Sequence, residues 1–510
     1  MLDNIKKIVR SRFFLGAMVI LVEFVLLVAL FAFLYEAFVV LAVMAWIFYF
    51  VVLIYILNRD EIPENKLPWI IIVMVLPIFG AFLFLLLSSN KASKKDYARY
   101  EKSAKKIRPH LVQTKNIDKI KQLDIDAYAQ ARYLYEGAKA PLFDKSKVTY
   151  YPLGEDFLEA LLTELSSAKK FIFMEYFIVQ EGKMWSDIHK VLKEKVREGV
   201  EIFLMYDDLG CIATVPDDFY EQLRKDGINC VPCNKFRPIL SHIHNNRDHR
   251  KITVVDGRVG FTGGINLADE YINAYVKHGH WKDTAIKIEG EAVKSLSALF
   301  ISLWNMQNVR QLDCDKYLYI TKGGDNGQGY VIPFGDSPSP IDTEDIGKTV
   351  YMNILGCARD YVYICTPYLI CDRELLNCMC NAAQRGVDVR LITPHIPDKK
   401  AVFLMTRSNY KKLIDKGVKV YEYTPGFIHA KSFVCDDKFA VCGTINLDYR
   451  SLVHHFECGA WMYNTECIGD MKADFLDTLN KSQLIPKREA ELPFFERLFA
   501  ELMKVFSPLL

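Results

Sequence analysis

Asp248 to Asn266 reads DHRKITVVDGRVGFTGGIN, and 180 residues later Ile428 to Asn446 reads IHAKSFVCDDKFAVCGTIN. His249, Lys251, Asp256, Gly263 and Asn266 of the first stretch recur at the same spacing as His429, Lys431, Asp436, Gly443 and Asn446 of the second. A lone His-x-Lys says little, but two copies in register point to a duplicated unit. Ile252–Val255 and Val259–Thr262 read as short strands around Asp256-Gly257, a strong hairpin turn signal. Side chains two apart on a strand share a face, so His249 and Lys251 point the same way. His429 and Lys431 do the same in the second hairpin, which turns at Asp436-Asp437.

The flanking sequence repeats as well. FIFMEYFIV (171–179) reads as a strand, Trp185–Arg197 has apolar residues at helical spacing, and GVEIFLMYDD (199–208) reads as a second strand. The order returns as YVYICTPYLI (361–370), a helix around Leu375–Arg385, and GVDVRLITP (386–394). The fold class is therefore α/β, with two duplicated βαβ-type domains expected over 141–310 and 341–485. Residues 311–340, rich in glycine and proline, are expected as the linker between them.

The N-terminus has a different character. Phe13–Leu57 is almost continuous hydrocarbon, interrupted by Glu23 and Glu36. About 20 apolar residues span a bilayer, so this stretch predicts two transmembrane helices turning near Tyr35 and Glu36. Leu67–Leu87 gives a third apolar stretch, either a full span or, with Pro77 and Gly80 inside it, a re-entrant segment. A cleaved leader would have an apolar core of only about 7–15 residues. Residues 1–90 are thus expected to form a retained anchor of two to three helices.

Residues 91–140 follow as a basic juxtamembrane stretch and a polar helical connector (117–138). Over residues 91–108, Lys91, Lys94, Lys95, Arg99, Lys102, Lys105, Lys106 and Arg108 outnumber Asp96 and Glu101. Basic flanks stay cytoplasmic, which places the body on the cytoplasmic side of the plasma membrane. The chain as a whole is nearly neutral at +2, and removing this local +6 leaves the remainder at −4. Such a body lacks the basic footprint of a nucleic-acid binder.

Thirteen cysteines, an odd number, all lie between Cys211 and Cys467. Cys230 and Cys233 form a C-x-x-C, but Cys378 and Cys380 do not supply the matching pair of a zinc ribbon. Reduced thiols packed as small hydrophobes are expected instead.

Two imidazoles, two ammonium groups and two Asn amides suit a phosphodiester. Lysines and amides can hold non-bridging oxygens as charge shifts in the transition state. One imidazole can attack phosphorus while the other protonates the leaving alkoxide. This chemistry calls for no metal and no cofactor. Asp256 and Asp436 belong to the motif, although turn chemistry favours a scaffold role for both.

The paired motifs resemble the HKD motifs of the phospholipase D superfamily, and an apolar N-terminus leading into this body is similar to the bacterial cardiolipin synthase family. MEYFIV with Glu175, YDDLG with Asp207 and Asp208, WKDT with Asp283, TPYLI, NLDYRS and the terminal SPLL belong to the likeness. It implies one active site shared across a pseudo-twofold. It implies transfer of a phosphatidyl group between two phosphatidylglycerol molecules, giving cardiolipin and glycerol through a phosphohistidine. His249, Lys251, Asp256, His429, Lys431 and Asp436 would be the catalytic set, with Asn266, Asn446 and Thr444 binding phosphate.

The likeness also implies an acidic residue after each motif to orient a catalytic His, at Glu457 and at Asp283. Either imidazole can be the nucleophile; the resemblance favours His249. A lipid hydrolase or another phosphatidyltransferase is the alternative activity, and an inactive membrane scaffold is the alternative of another class. His242, His244, His454 and His455 read as scaffold residues. The tail, 486–510, carries Phe495, Leu498, Phe499, Leu502 and Phe506 on one helical face, which suits either a core-packed or an interfacial helix.

Overall fold

A computed structural model describes residues 12–37, 39–59, 63–88, 94–113, 116–144, 146–235, 245–307, 309–319 and 327–509. His242 and His244 lie outside these residues. The first half supplies strands β1 (Ser146–Tyr151), β2 (Phe171–Tyr176), β3 (Glu201–Asp207), β4 (Asn229–Cys233), β5 (Lys251–Val255), β6 (Val259–Gly263), β7 (His280–Lys282) and β8 (Ala285–Gly290). The second supplies β9 (Tyr330–Asp336), β10 (Tyr361–Cys365), β11 (Leu369–Ile370), β12 (Asp388–Pro394), β13 (Lys419–Tyr423), β14 (Gly426–Ile428), β15 (Ser432–Cys435), β16 (Phe439–Gly443), β17 (Leu447–Asp448), β18 (Glu457–Tyr463) and β19 (Ser482–Leu484).

The two main sheets run β1-β8-β6-β5-β2-β3-β4 and β9-β18-β16-β15-β10-β12-β13-β19. Strand for strand they match, apart from the extra edge β19. In each, the motif hairpin (β5–β6, β15–β16) lies antiparallel beside a strand that continues in parallel through a βαβ crossover. The repeat seen in the sequence is therefore a repeat of topology. One boundary differs from the sequence reading: β9, inside the expected linker, is an edge strand of the second sheet, paired with β18 along its whole length. Its side chains Val331, Ile332 and Phe334 are buried, Val331 in the shared interior and Ile332 and Phe334 under the outer helices, so burial on both faces outweighs the surrounding glycines.

The sheets face each other across a shared interior. Helices Val293–Met306 and Cys467–Asn480 lie in it, with Phe173 stacked on Phe300 at 4.4 Å and Tyr363 on Phe475 at 4.6 Å. Helices Gly154–Ser167 and Lys183–Arg197 cover the outer face of the first sheet, and Ile346–Cys357 and Arg373–Gln384 that of the second. The connector breaks at Asp124, whose carboxylate caps helix Ile125–Ala138 by accepting from the Asp126 and Ala127 amides. All thirteen cysteines are free. Cys230 and Cys233 sit three apart on β4 and enter different cores on opposite sides of the sheet, so they pack rather than pair.

Helices Arg12–Ala37 and Val39–Asn58 precede the body. The third apolar stretch is split at Pro77 into Pro63–Val75 and Pro77–Leu87. These fold back on each other: Trp69 and Phe84 meet at 5.5 Å, and a Cβ at Gly80 would stand 2.6 Å from the Ile72 carbonyl oxygen. Among the residues described, no helix is both long and apolar enough to cross a membrane; the spans expected from hydropathy belong to the proposal on function. The C-terminal helix, Phe494–Phe506, buries only Ala500 and leaves Phe494, Phe495, Leu498, Phe499 and Leu502 exposed.

Candidate active site

The second half of each domain places its own His beside the other domain's carboxylate. The His249 amide donates to the Phe456 carbonyl at 2.9 Å, and the His429 amide donates to the Lys282 carbonyl at 2.7 Å. These are equivalent bonds on the two sides of the molecule. Each therefore sets an imidazole one residue from the opposite half's acid. His249 Nδ1 lies 2.9 and 3.0 Å from the two oxygens of Glu457, and His429 Nδ1 lies 2.6 Å from Asp283 Oδ2. Both carboxylates are fully buried, and both imidazoles nearly so.

An Nδ1–H donated to a carboxylate leaves Nε2 with its lone pair free, the tautomer a nucleophile or base requires. At His429 the Lys431 ammonium also approaches Nδ1, at 2.7 Å. One nitrogen cannot donate and accept at once. The closer carboxylate, a stronger acceptor, takes the Nδ1 proton, while the ammonium is satisfied by the His429 carbonyl oxygen. Lys251 likewise donates to the His249 carbonyl, at 2.7 Å.

Burial dominates the electrostatics. It holds the His249 imidazole well below its ordinary range, with help from Lys251 and Lys431. It pushes His429 down to about 4, with Lys431 adding to the effect and Asp283 opposing it. It also lowers Lys431 to about 7 and Lys251 to about 8. Two neutral imidazoles beside two destabilised ammonium groups form a site that lacks an anion, and a phosphodiester supplies one.

Asp256 and Asp436 are not brought to this centre. Each sits at positive φ (54° and 52°) at the far end of its hairpin, roughly 15 Å along the strand at about 3.3 Å per residue. Asp256 accepts from the amides of Lys169, Lys170 and Phe171 at 2.7–2.8 Å, and Asp436 from Arg359, Asp360 and Tyr361 at 2.7–2.9 Å. Each carboxylate ties the hairpin turn to the start of the neighbouring strand. Their place in the catalytic set is corrected to a scaffold role.

Thr444 is corrected too. Its hydroxyl donates to Glu457 Oε2 and accepts from the Cys458 amide at 3.0 Å; it fastens the orienting carboxylate, which commits its one hydroxyl proton away from a phosphate. Asn266 is engaged at both ends, accepting from the Ile178 amide at 3.0 Å and donating to Tyr271 Oη at 2.6 Å. Tyr271 in turn packs edge-on against His429. The equivalent Asn446 is bonded to Asp448 and keeps a buried Oδ1 without a hydrogen-bond partner among the described residues.

Several contributors were not singled out as site residues in the sequence. Asp207 accepts from Arg247 Nε and from the Asp248 amide, at 3.0 and 2.9 Å, and so clamps the approach to His249. Arg250, between His249 and Lys251, points the other way and donates to the Glu457 carbonyl at 3.1 Å; Ala430 holds its place in the second motif. Phe177, Trp281 and Phe427 wall the imidazoles. The period of two that shows His249 and Lys251 on one face also implies that Arg250 faces the opposite way. His455, expected as scaffold, has its ring 5.6 Å from that of His249, and its Nδ1 lies 3.7 Å from Glu457. His249, His455 and Glu457 form the one group of metal-ligand spacing among the described residues. Glu457 is already committed to His249 and Thr444, so the group reads as an orienting network.

Two matched α/β domains that exchange carboxylates across a His-Lys pair define a phospholipase D-type phosphodiester site. Residues 161–304 and 351–479 match the family described as "Cardiolipin synthase, PLD-like domain", and residues 47–88 match "Phospholipase_D-nuclease N-terminal". The chain belongs to this cardiolipin synthase family of phospholipase D-like proteins. It is 31% identical to a cardiolipin synthase of Alkalihalophilus pseudofirmus, over 90% of this chain and 91% of that one. It is 34% identical to cardiolipin synthase 2 of Bacillus cereus, over 85% and 84%. A phosphatidylserine synthase structure from Haemophilus influenzae shares the fold with a TM-score of 0.56 at 15% identity, covering 74% of this chain and 97% of that one.

Proposed function

We propose that this enzyme is a cardiolipin synthase, moving a phosphatidyl group from one phosphatidylglycerol to the glycerol headgroup of another. The observation that carries the reading is the exchange of carboxylates, Glu457 to His249 and Asp283 to His429, within a family whose relatives bear that name. In the first step Nε2 of one imidazole, taken as His249, attacks phosphorus. The P–O bond to glycerol breaks, and the other imidazole, which takes up a proton when the phosphodiester anion enters the site, protonates the departing alkoxide as its imidazolium. In the second step that imidazole, now neutral, removes the proton from the hydroxyl of a second phosphatidylglycerol. The resulting alkoxide attacks phosphorus, the N–P bond breaks, and both imidazoles return to their starting states. Two phosphatidylglycerols thus become one cardiolipin and one glycerol. Lys251 and Lys431 hold the non-bridging oxygens. Asn446 can join them after its amide turns from Asp448, whereas Asn266 supports the site through Tyr271.

The apolar helices 12–37 and 39–58 expose Leu26, Met44, Ile47 and Val51 to more than half of their surface. This supports anchoring in the bacterial plasma membrane, with 63–87 as a re-entrant hairpin and the body on the cytoplasmic face. Such a hairpin lets the basic residues ahead of the apolar region, Lys6, Lys7, Arg10 and Arg12, share a side with those at 91–108, since two full spans return the chain to its starting side.

The test is the product. Purified full-length protein with phosphatidylglycerol in mixed micelles should release cardiolipin and glycerol in equal amounts. Phosphatidic acid without cardiolipin would identify a hydrolase, and no turnover an inactive scaffold; either result rejects the synthase reading.

A further inference from the structure

We infer that the C-terminal helix lies flat on the bilayer and extends the lipid-facing surface from the N-terminal anchor to the mouth of the active site. The proposal rests on the membrane reading above and adds a second, monotopic contact to it. The helix Phe494–Phe506 has Ala500 fully buried, and Met503 packs beside Ile370, Met405 and Tyr449. The opposite face holds Phe494, Phe495, Leu498, Phe499 and Leu502, exposed by 43–80%. Five large apolar side chains over three turns form a patch that a water-facing helix does not carry.

Continuity with neighbouring elements identifies the occupant as lipid. The helix packs on Pro63–Val75, part of the apolar hairpin, and the turn Ser507–Leu509 touches that same helix. It therefore sits where the apolar hairpin meets the polar body, the level at which an interfacial helix rests. On its other side it packs along Lys400–Ser408. Just ahead of that helix come the exposed Lys399 and Lys400, cations suited to anionic headgroups. Ile396, 37% exposed, precedes them.

Ile396 borders the catalytic centre. It approaches Gly279 closely, and the loop leading to Gly279 exposes Tyr275 by 59% and Val276 by 72%. The adjacent His278 stands against Trp281 and Phe427, which wall His429. Exposed apolar side chains thus stand on the anchor, on the C-terminal helix packed against it and near the rim of the site, with Lys399 and Lys400 between the last two. A lipid headgroup would enter with its acyl chains still in the bilayer.

The test places the photo-reactive residue p-benzoylphenylalanine at Phe495 in the full-length protein, reconstituted in vesicles of tritiated phosphatidylglycerol and phosphatidylcholine. Illumination should transfer label to the C-terminal peptide, and the same probe at the polar-face residue Glu496 should give at least fivefold less. A cross-link to a second copy of the chain, or equal labelling at both positions, overturns the proposal. Cross-linking needs no turnover, so failure of the synthase reading is recognised separately by absence of cardiolipin. As a functional arm, Phe495→Glu with Leu502→Glu should lower turnover of vesicle phosphatidylglycerol at least tenfold, while Phe495→Leu with Leu502→Ile stays within twofold. Turnover of the Glu variant equal to native also overturns it.

Discussion

Replacing Asp283 by Asn removes one negative charge and leaves the shape of the side chain intact. Its Oδ2 lies 2.6 Å from His429 Nδ1, with Asp283 fully buried and the imidazole 9% exposed. When His429 becomes an imidazolium during the reaction, the charge centres stand roughly 4 Å apart. At an effective dielectric constant of about 20, that attraction is worth about 4 kcal/mol, or about 10³-fold in rate. The charge-assisted hydrogen bond considered alone, about 1.5–3 kcal/mol, sets a lower bound of about tenfold. Asp283→Asn should therefore lower kcat by about 10–10³.

KM should change little, because Asp283 acts on the imidazole and not on the phosphate. The assay is conversion of radiolabelled phosphatidylglycerol to cardiolipin by the full-length protein, with circular dichroism confirming the fold. A kcat within threefold of native in a folded variant would refute the reasoning. So would an undiminished loss in the His429→Ala background, where the carboxylate has no imidazole to hold and the second substitution should be nearly silent.

The remaining predictions separate chemistry from scaffold. Asp256→Asn leaves a side chain that tolerates positive φ but weakens three bonds to backbone amides; we expect a loss of about 2 kcal/mol with kcat within twofold, by thermal unfolding and by initial rates. A tenfold fall in kcat would return Asp256 to the catalytic set. The lowered lysines predict an alkaline limb in kcat/KM. Phosphate capture is intact while both are protonated and fades as pH rises through about 7 for Lys431 and about 8 for Lys251. Lys431→Arg, always charged, should move that limb up by about one pH unit, and an unmoved limb removes Lys431 from capture. Gly264→Ala would set a Cβ 2.1 Å from Asp283 Oδ1; it should mimic Asp283→Asn in rate, and native turnover would show that the two loops can part.

Much of this was legible in the sequence because strand periodicity and turn chemistry act over a few residues. The His-x-Lys pairs, the hairpins and the crossover strands all follow from period-two alternation and the Asp-Gly signal. Turn chemistry pointed to a scaffold role for Asp256 but not to its partners, and the bonding of Thr444 was not legible at all. Asp256 finds its partners 85–87 residues earlier in the chain, and Thr444 its Glu457 thirteen residues later. Nothing local in a sequence states which buried acceptor a hydroxyl will meet. The same holds for β9, whose pairing with β18 depends on burial in the assembled sheet. The family likeness, and not spacing, marked Glu457 and Asp283 as acidic residues after the motifs, without showing that each would serve the imidazole of the opposite half.

That exchange explains why the duplicated halves are not interchangeable. The acid for His249 is a glutamate, one methylene longer, whose extra reach is secured by the Thr444 hydroxyl. The acid for His429 is an aspartate, and the position equivalent to Thr444 is Gly264, where any side chain would strike Asp283. Length of acid and size of the facing residue have therefore to change together. His455 beside Glu457 adds a second imidazole on the His249 side, whereas the Lys431 ammonium crowds Nδ1 on the His429 side. Two chemically identical side chains thus sit in unlike surroundings. A reaction that asks one imidazole to bond phosphorus and the other to carry protons can use such a difference to decide which takes each role.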